Sequence, residues 1–375
     1  MKIGFDGKRA TNNLTGLGNY SRSLIAQLAE FFPQNQYFVY SPKIKEHPQI
    51  RHFLNLRGIQ AELPDQPGLL WRTSGIKKQL SKDNIELFHG LSHEIPLGIQ
   101  NSGIRSMVTI HDLIFLRFPK YFGRIDRFIY KLKARYSCKH ADKIVAISEC
   151  TKRDIIEFFH TDPDKIEVIY QSCDDSFKSP SSEKVKQDTR TRNNLPPKYI
   201  LNVGTIETRK NLLTLVKALP EIDPDYQLVV VGKRTAYTEL VYKEIDRLGL
   251  KDRVHFLQNV PFDELPSIYQ MASAFIYPSI YEGFGIPIIE ALYSGVPVIA
   301  ATGSCLEEAG GENSLYVAPF DHATLATAIN GVLNDPTLAE QMKIKGLEYV
   351  QKFDTRVIAE DLMKVYTQVL SSHQK

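Results

Sequence analysis

Apolar runs of strand length recur along the chain, each followed by a turn signal and then by a stretch in which apolar residues return at helical spacing. That alternation predicts a parallel α/β architecture. In the first half the strand candidates are residues 2–5, 37–40, 87–89, 106–110, 143–147 and 166–169; in the second half they are 199–203, 227–231, 254–257, 274–277, 298–300 and 315–317. Two sets of about six strands fit two Rossmann-like sheets. Ligands at such sheets bind outside the carboxyl ends of the strands, so chemistry is expected just after a strand. The stretch SFKSPSSEKVKQDTRTRNNLPP, residues 176–197, is rich in Ser, Pro, Lys and Asn and lacks apolar periodicity, which predicts an interdomain linker. Helical spacing returns over residues 355–370, a last helix that can dock on either domain.

A length of 375 residues allows about two domains. With 43% hydrophobic, 24% charged and 10% aromatic residues the composition is globular, excluding disorder and disulfide-rich scaffolds. Cys138, Cys150, Cys173 and Cys305 form no CxxC pair, so neither a structural metal nor a disulfide framework is expected and the thiols read as reduced. Asp6, Lys8 and Arg9 interrupt the first apolar run before a signal-peptide core can form, and the charge-poor stretch 271–303 is broken by Glu282, Glu290, glycines and prolines. A cytoplasmic protein is the expectation. The net charge of +3 is too balanced for a nucleic-acid binder, although residues 1–175 carry 25 basic against 19 acidic side chains.

Four segments after strands carry candidate chemistry. In YEGFGIPIIEALYSGVPVIA, residues 281–300, a Gly283-Phe284-Gly285 turn runs into a helix with Pro287 at its start, where the missing N–H costs nothing. Free backbone N–H groups of Gly283, Phe284, Gly285 and Ile286 would then suit an anion such as a diphosphate. Glu282 lies before the turn and Glu290 is expected in the first helical turn, both within reach of one ligand whose hydroxyls donate to carboxylates. Arg209 and Lys210 follow a strand and the Gly204-Thr205 turn, so two cations can face a diphosphate; the bland alternative is a solvated pair. Gly16 and Gly18 follow the first strand after a loop expected over residues 8–14, and glycine there would let backbone touch phosphate. His111 follows the strand MVTI at a carboxyl end, as a cleft-facing ring or a packed one. The Asp-Pro-Asp triplets at 162–164 and 223–225 read as turns.

The segment 281–300 resembles the Glu-x7-Glu motif of retaining nucleotide-sugar glycosyltransferases of family 4, which have the GT-B fold. NVGTIETRKN (202–211) is similar to the phosphate-binding loop of that family's donor domain, and TGSCLEEAGG (302–311) to the loop after the GVPVIA strand. GLGNY (16–20), His111-Asp112, IVAISECTKRDI (144–155) and VIYQSCDDSF (168–177) resemble further motifs in the same order. The resemblance implies an α/β GT-B enzyme: two Rossmann-like domains facing a central cleft, 1–175 for the acceptor with 353–375 crossing back, and 176–352 for the donor. It implies a catalytic set of His111, Arg209, Lys210 and Glu282 and a ligand-binding set of Gly16, Gly18, Gly204, Gly283, Phe284, Gly285, Ile286 and Glu290. Glu282 would orient sugar hydroxyls, Glu290 the ribose, and the basic pair would neutralise the leaving nucleotide, with no metal and no cofactor. The loop looks most like mannosyltransferases using GDP-mannose. A nucleotide-sugar epimerase or hydrolase of GT-B shape is the nearer alternative. An NAD-dependent oxidoreductase is the remote one, since GLGNYS ends in Ser21 where a third glycine or alanine belongs.

Residues 117–143 hold nine basic side chains against Asp126 and Asp142. Arg124, Arg127, Lys131, Arg135 and Lys139 form one helical stripe and Ile125, Phe128, Leu132 and Tyr136 another. The stripe could face anionic headgroups or a polyprenyl diphosphate. The expected partners are therefore a nucleotide-sugar donor, a glycan or polyprenyl-linked acceptor in surface polysaccharide or lipopolysaccharide assembly, and a peripheral contact at the inner membrane face. Nucleic acid is not expected.

Overall fold

The structure is a computed structural model that describes residues 1–65, 68 and 70–371. The chain divides into two compact units, residues 1–171 with 355–375, and residues 172–354.

In the first unit seven strands form one sheet: β1 (Lys2–Asp6), β2 (Gln36–Tyr40), β3 (Ile59–Glu62), β4 (Leu87–Gly90), β5 (Arg105–Ile110), β6 (Lys143–Ala146) and β7 (Ile166–Val168). Their order is β3-β2-β1-β4-β5-β6-β7, every pair parallel, with the chain direction across the sheet reversing between β1 and β4. Central strands such as β4 are buried at every position, so they read as continuous apolar runs. The edge strand β3 escaped the sequence reading because only Ile59 of its IQAE is buried. The helix Gly16–Phe31 lays Leu24, Ile25 and Leu28 against Ile3 and Phe5 of β1. The last helix, Thr355–Ser371, joins the same core through Ile358, Leu362, Tyr366 and Val369, spaced by four, four and three residues along one helical face. Each of the three aliphatic side chains contributes about 1.5–3 kcal/mol on burial, which helps hold this helix to the first unit.

In the second unit β8 (Tyr199–Val203), β9 (Gln227–Val231), β10 (Val254–Leu257), β11 (Ala274–Tyr277), β12 (Val298–Ala301) and β13 (Leu315–Val317) are ordered β10-β9-β8-β11-β12-β13, all parallel. The reversal falls between β8 and β11. Segment 176–197 is not a bare linker. It contains the helix Glu183–Arg192, capped by Ser182, whose hydroxyl accepts from the Val185 N–H. Arg192 and Asn193 reach Glu264, beside the short helix Leu265–Gln270. The helix is polar throughout, with Val185 still exposed, and it is held by these end contacts rather than by an apolar stripe.

Candidate functional site

At the reversal point of the second unit, Glu282 is buried among donors. Its Oε1 accepts from Lys210 Nζ at 2.6 Å, from the Ser279 hydroxyl, and from the Tyr277 hydroxyl at 3.3 Å, while Arg209 Nη1 lies 2.5 Å from Oε2. Burial by itself pushes this carboxyl up, but the Lys210 and Arg209 charges outweigh it and hold the group below its ordinary value. Local chain geometry explains why the pair sits there. After β8 the chain turns at Gly204 (φ 149°), and the short turn Thr208–Lys210 ends on Asn211 in the left-handed conformation (φ 56°). The Asn211 amide then donates to the Pro278 carbonyl at 3.0 Å, and the Ile280 N–H to the Arg209 carbonyl at 2.8 Å, which ties the loop after β8 to the loop after β11. Arg209 further donates to the Tyr281 carbonyl and to Glu207, both at 2.7 Å, and Lys210 to the Tyr277 hydroxyl at 2.7 Å.

The helix Ile286–Tyr293 starts after Gly285 with no side-chain cap. Gly285 is required there, since a Cβ would come within 2.8 Å of Ala309 Cβ. The Cys305 thiol donates to the carbonyls of Glu282 and Phe284, at 3.2 and 2.9 Å, so the loop after β12 pins the loop after β11. Glu290 is the fifth residue of the helix rather than part of its first turn, which corrects its expected position. It accepts from the Tyr269 hydroxyl at 2.8 Å, and burial, with the Asp174 charge, raises it to about 7. The two carboxylates thus have different partners: one is ionised by a cation pair, the other stands near its titration point at neutral pH.

In the first unit His111 directly follows β5, as expected, but it is buried with both nitrogens in use. Nε2–H donates to the Leu91 carbonyl at 2.8 Å and Nδ1 accepts from the Gln171 amide at 3.2 Å. Burial and the nearby His93 lower it to about 4, so the ring is neutral at pH 7. Tyr20 stacks edge-on at 4.7 Å and His93 lies 5.6 Å away. Gly16 and Gly18 do not lie in a loop but at a helix start, as the first and third residues of the helix Gly16–Phe31, and residues 8–12, expected as a loop, form a helix of their own. Gly18 is needed because a Cβ would lie 1.8 Å from the Asn13 carbonyl oxygen. Tyr269, Tyr277 and Ser279 are not among the expected site residues, and Cys305 is expected only as a reduced thiol. Tyr277 and Ser279 stand within five residues of Glu282 at a strand end, a signal that was legible; Tyr269 and Cys305 are brought in only by tertiary contact. Among the described residues no group of three or more His, Cys, Asp or Glu side chains could hold a metal ion, and no helix is long and apolar enough to cross a membrane.

Two parallel doubly wound sheets, with charged side chains gathered at the strand ends of the second, define an α/β protein of two Rossmann-like units. The model of the glycosyl transferases group 1 matches residues 183–349, and that of glycosyltransferase family 4 matches residues 14–177. Over 370 residues the chain is 28% identical to the O-antigen chain mannosyltransferase B of Escherichia coli, covering 94% of this chain and 96% of that protein. It is 32% identical over 262 residues to the O-antigen chain mannosyltransferase RfbU of Salmonella typhimurium, covering 70% and 68%. Among solved structures, a glycosyltransferase from Rickettsia africae superposes with a TM-score of 0.78 at 19% identity, covering 98% of each chain. HepE of Anabaena in complex with UDP and glucose does so with 0.76 at 18%, covering 98% of this chain and all of that one. The chain belongs to the group 1, family 4 glycosyltransferases and has their GT-B fold. The oxidoreductase and epimerase alternatives have no support among these matches.

Proposed function

We propose that this enzyme is a retaining mannosyltransferase that takes mannose from GDP-mannose and places it on a glycan or lipid-linked acceptor in O-antigen or related polysaccharide assembly. The donor would bind the second unit and the acceptor the first. The observation that carries the reading is the Arg209–Lys210 pair closed on Glu282 at the ends of β8 and β11. A donor diphosphate reaching that pair meets two cations already oriented, and its charge grows as the bond to the anomeric carbon breaks, so their attraction is strongest where the reaction needs it. Glu282, kept ionised, accepts from sugar hydroxyls, and Glu290 accepts from the ribose. Gly204, Gly283, Phe284, Gly285 and Ile286 let backbone approach the diphosphate or the sugar. Glu282 is closed on two cations and Glu290 is raised to about 7, so neither is poised as a nucleophile. The acceptor oxygen therefore attacks on the face from which the diphosphate leaves, and its proton passes to the departing phosphate oxygen. His111, a neutral ring of the first unit, is assigned to sugar recognition on the family resemblance alone. The names of the two mannosyltransferase relatives support the choice of mannose.

The exposed helix Arg124–His140 supports a peripheral contact with an anionic membrane surface. Ile125 and Phe128 are 76% and 63% exposed beside the basic stripe, and Arg124, Arg127, Lys131, Arg135 and Lys139 form no ion pair among the described residues.

A thermal-shift panel of GDP-mannose, UDP-glucose, UDP-N-acetylglucosamine and NAD, each with a chelator, tests the donor. Stabilisation by GDP-mannose alone is expected, and a response to NAD alone would sink the reading. Glu282→Gln keeps the size of the side chain while removing the charge, and should lower kcat by about 100-fold or more in a protein that still melts cooperatively. Unchanged turnover would remove Glu282 from the mechanism.

A further inference from the structure

The chain passes between its two units twice, after Gln171 and after Asp354. On the second-unit side the first passage leads into a single 3-10 turn, Asp175–Lys178, started by Asp174, whose carboxylate accepts from the Ser176 N–H at 3.0 Å. Lys178 ties the two passages together: its Nζ lies 2.6 Å from Asp175 and 3.0 Å from Asp354. The Lys178 side chain is 16% exposed, and an ammonium so covered is costly to leave without its partners.

The same short segment grips both elements that hold Glu290. Lys178 Nζ lies over the ring of Tyr293, 5.3 Å from its centroid, and Tyr293 closes the helix Ile286–Tyr293 on which Glu290 stands. Phe177, fully buried, packs edge-on against Tyr269 at 5.5 Å, and the Tyr269 hydroxyl donates to Glu290 Oε2 at 2.8 Å. Just beyond the turn, the Gln270 amide is held at both ends: its Oε1 accepts from the Ser181 N–H at 2.8 Å and its Nε2 donates to the Ser179 carbonyl at 3.0 Å. The helix Leu265–Gln270, which carries Tyr269, is thereby fixed to this segment. Tyr269 engages one oxygen of Glu290, and Oε1 makes no hydrogen bond among the described residues, which leaves it to a ligand. A carboxylate that takes a hydroxyl on one oxygen depends on exact placement, because a hydrogen bond weakens steeply as distance and angle depart from their optimum.

We propose that the turn Asp175–Lys178 sets the position of Glu290 toward the ribose of the donor nucleotide, with Phe177 and Lys178 as its positioning residues; this inference rests on the assignment of Glu290 to the ribose made above. Lys178 acts through Tyr293 at the end of the helix, and Phe177 acts through Tyr269. Because Lys178 also holds Asp354, donor affinity is linked to the point where the chain leaves the second unit. By reciprocity a bound nucleotide strengthens the same contacts.

The probes are GDP and dideoxy-GDP, which lacks both ribose hydroxyls, titrated calorimetrically into the full chain. The native protein should prefer GDP about tenfold or more, the scale of a hydrogen bond to a charged group. Lys178→Met and Phe177→Leu should each cut that preference about threefold or more, with the affinity for dideoxy-GDP unchanged. Lys178→Arg, which keeps the charge over Tyr293, should restore it. In a Glu290→Gln background Lys178→Met should change nothing further. Asp354 is partly exposed, so Asp354→Asn should fold and provides a second break in the same contacts. An undiminished preference in Lys178→Met and Asp354→Asn, an equal loss for both nucleotides, or an additive effect on Glu290→Gln would overturn the proposal. A native protein without any preference would sink the ribose assignment and this inference with it, whereas a preference kept by native protein and variants alike sinks this inference alone.

Discussion

Glu282 and Glu290 show how far two like residues on one loop and helix can be driven apart. Glu282 lies within reach of a guanidinium and an ammonium and stays ionised, whereas Glu290 has a single phenol donor and is raised by burial to about 7. The ordinary carboxyl value is 4.5, so folding favours protonated Glu290. The stability this contributes is complete below pH 4.5 and is lost as the pH rises through 7. Glu290→Gln, which cannot ionise, should therefore be more stable than the native protein at pH 8 by about 3 kcal/mol, and the advantage should vanish at pH 4.5. Urea midpoints at the two pH values check this; an equal difference at both would mean that Glu290 does not titrate as stated. The histidines have the opposite sign. His89, His93 and His111 are lowered by burial to about 3, 4 and 4, so their contribution is whole above pH 6.5 and falls away toward pH 4.

At the scale of elements, glycine carries two different messages that one sequence pattern cannot separate. Gly16 and Gly18 read as a glycine-rich loop after the first strand, yet both are helical. Gly16 has open space around its Cα, while at Gly18 the backbone of Asn13 passes too close for any side chain. Gly16→Ala should thus be neutral or stabilising by up to about 1 kcal/mol, and Gly18→Ala destabilising by about 2 kcal/mol or more. Thermal denaturation of the two variants tests this, and equal behaviour would refute the close approach. The polar helix Glu183–Arg192 and the edge strand β3 were illegible for a shared reason: neither buries an apolar face, and burial is what writes periodicity into a sequence. The central strands, buried on both sides, were plain.

For the whole molecule, the last helix is part of the first unit's core, and one chain of hydrogen bonds runs into it. The Tyr20 hydroxyl lies 3.3 Å from Thr109 Oγ1, which lies 2.9 Å from His89 Nε2, and His89 Nδ1 meets the Tyr366 hydroxyl at 2.7 Å. The helix Arg124–His140 instead turns apolar and basic groups outward. Full-length protein should co-sediment with anionic vesicles, less so as salt rises. Ile125→Asp combined with Phe128→Asp should reduce the bound fraction several-fold without altering the melting temperature. Equal binding to zwitterionic vesicles would argue against an anionic surface as the partner.

Order and spacing along the chain determined the class of fold, twelve of the thirteen strands, the family resemblance and the charged residues at the ends of β8 and β11. These are local properties: an apolar run, a turn residue or a motif is complete within some twenty positions. Only the tertiary structure decided what each charge does. Lys210 and Glu282 meet across 72 positions and His89 and Tyr366 across 277. Whether a carboxylate is held ionised or pushed to neutrality depends on which distant cations and apolar walls the fold brings to it. The same dependence exposes Ile125 and Phe128 on the helix Arg124–His140, because burial belongs to the packed chain and not to any one segment of it.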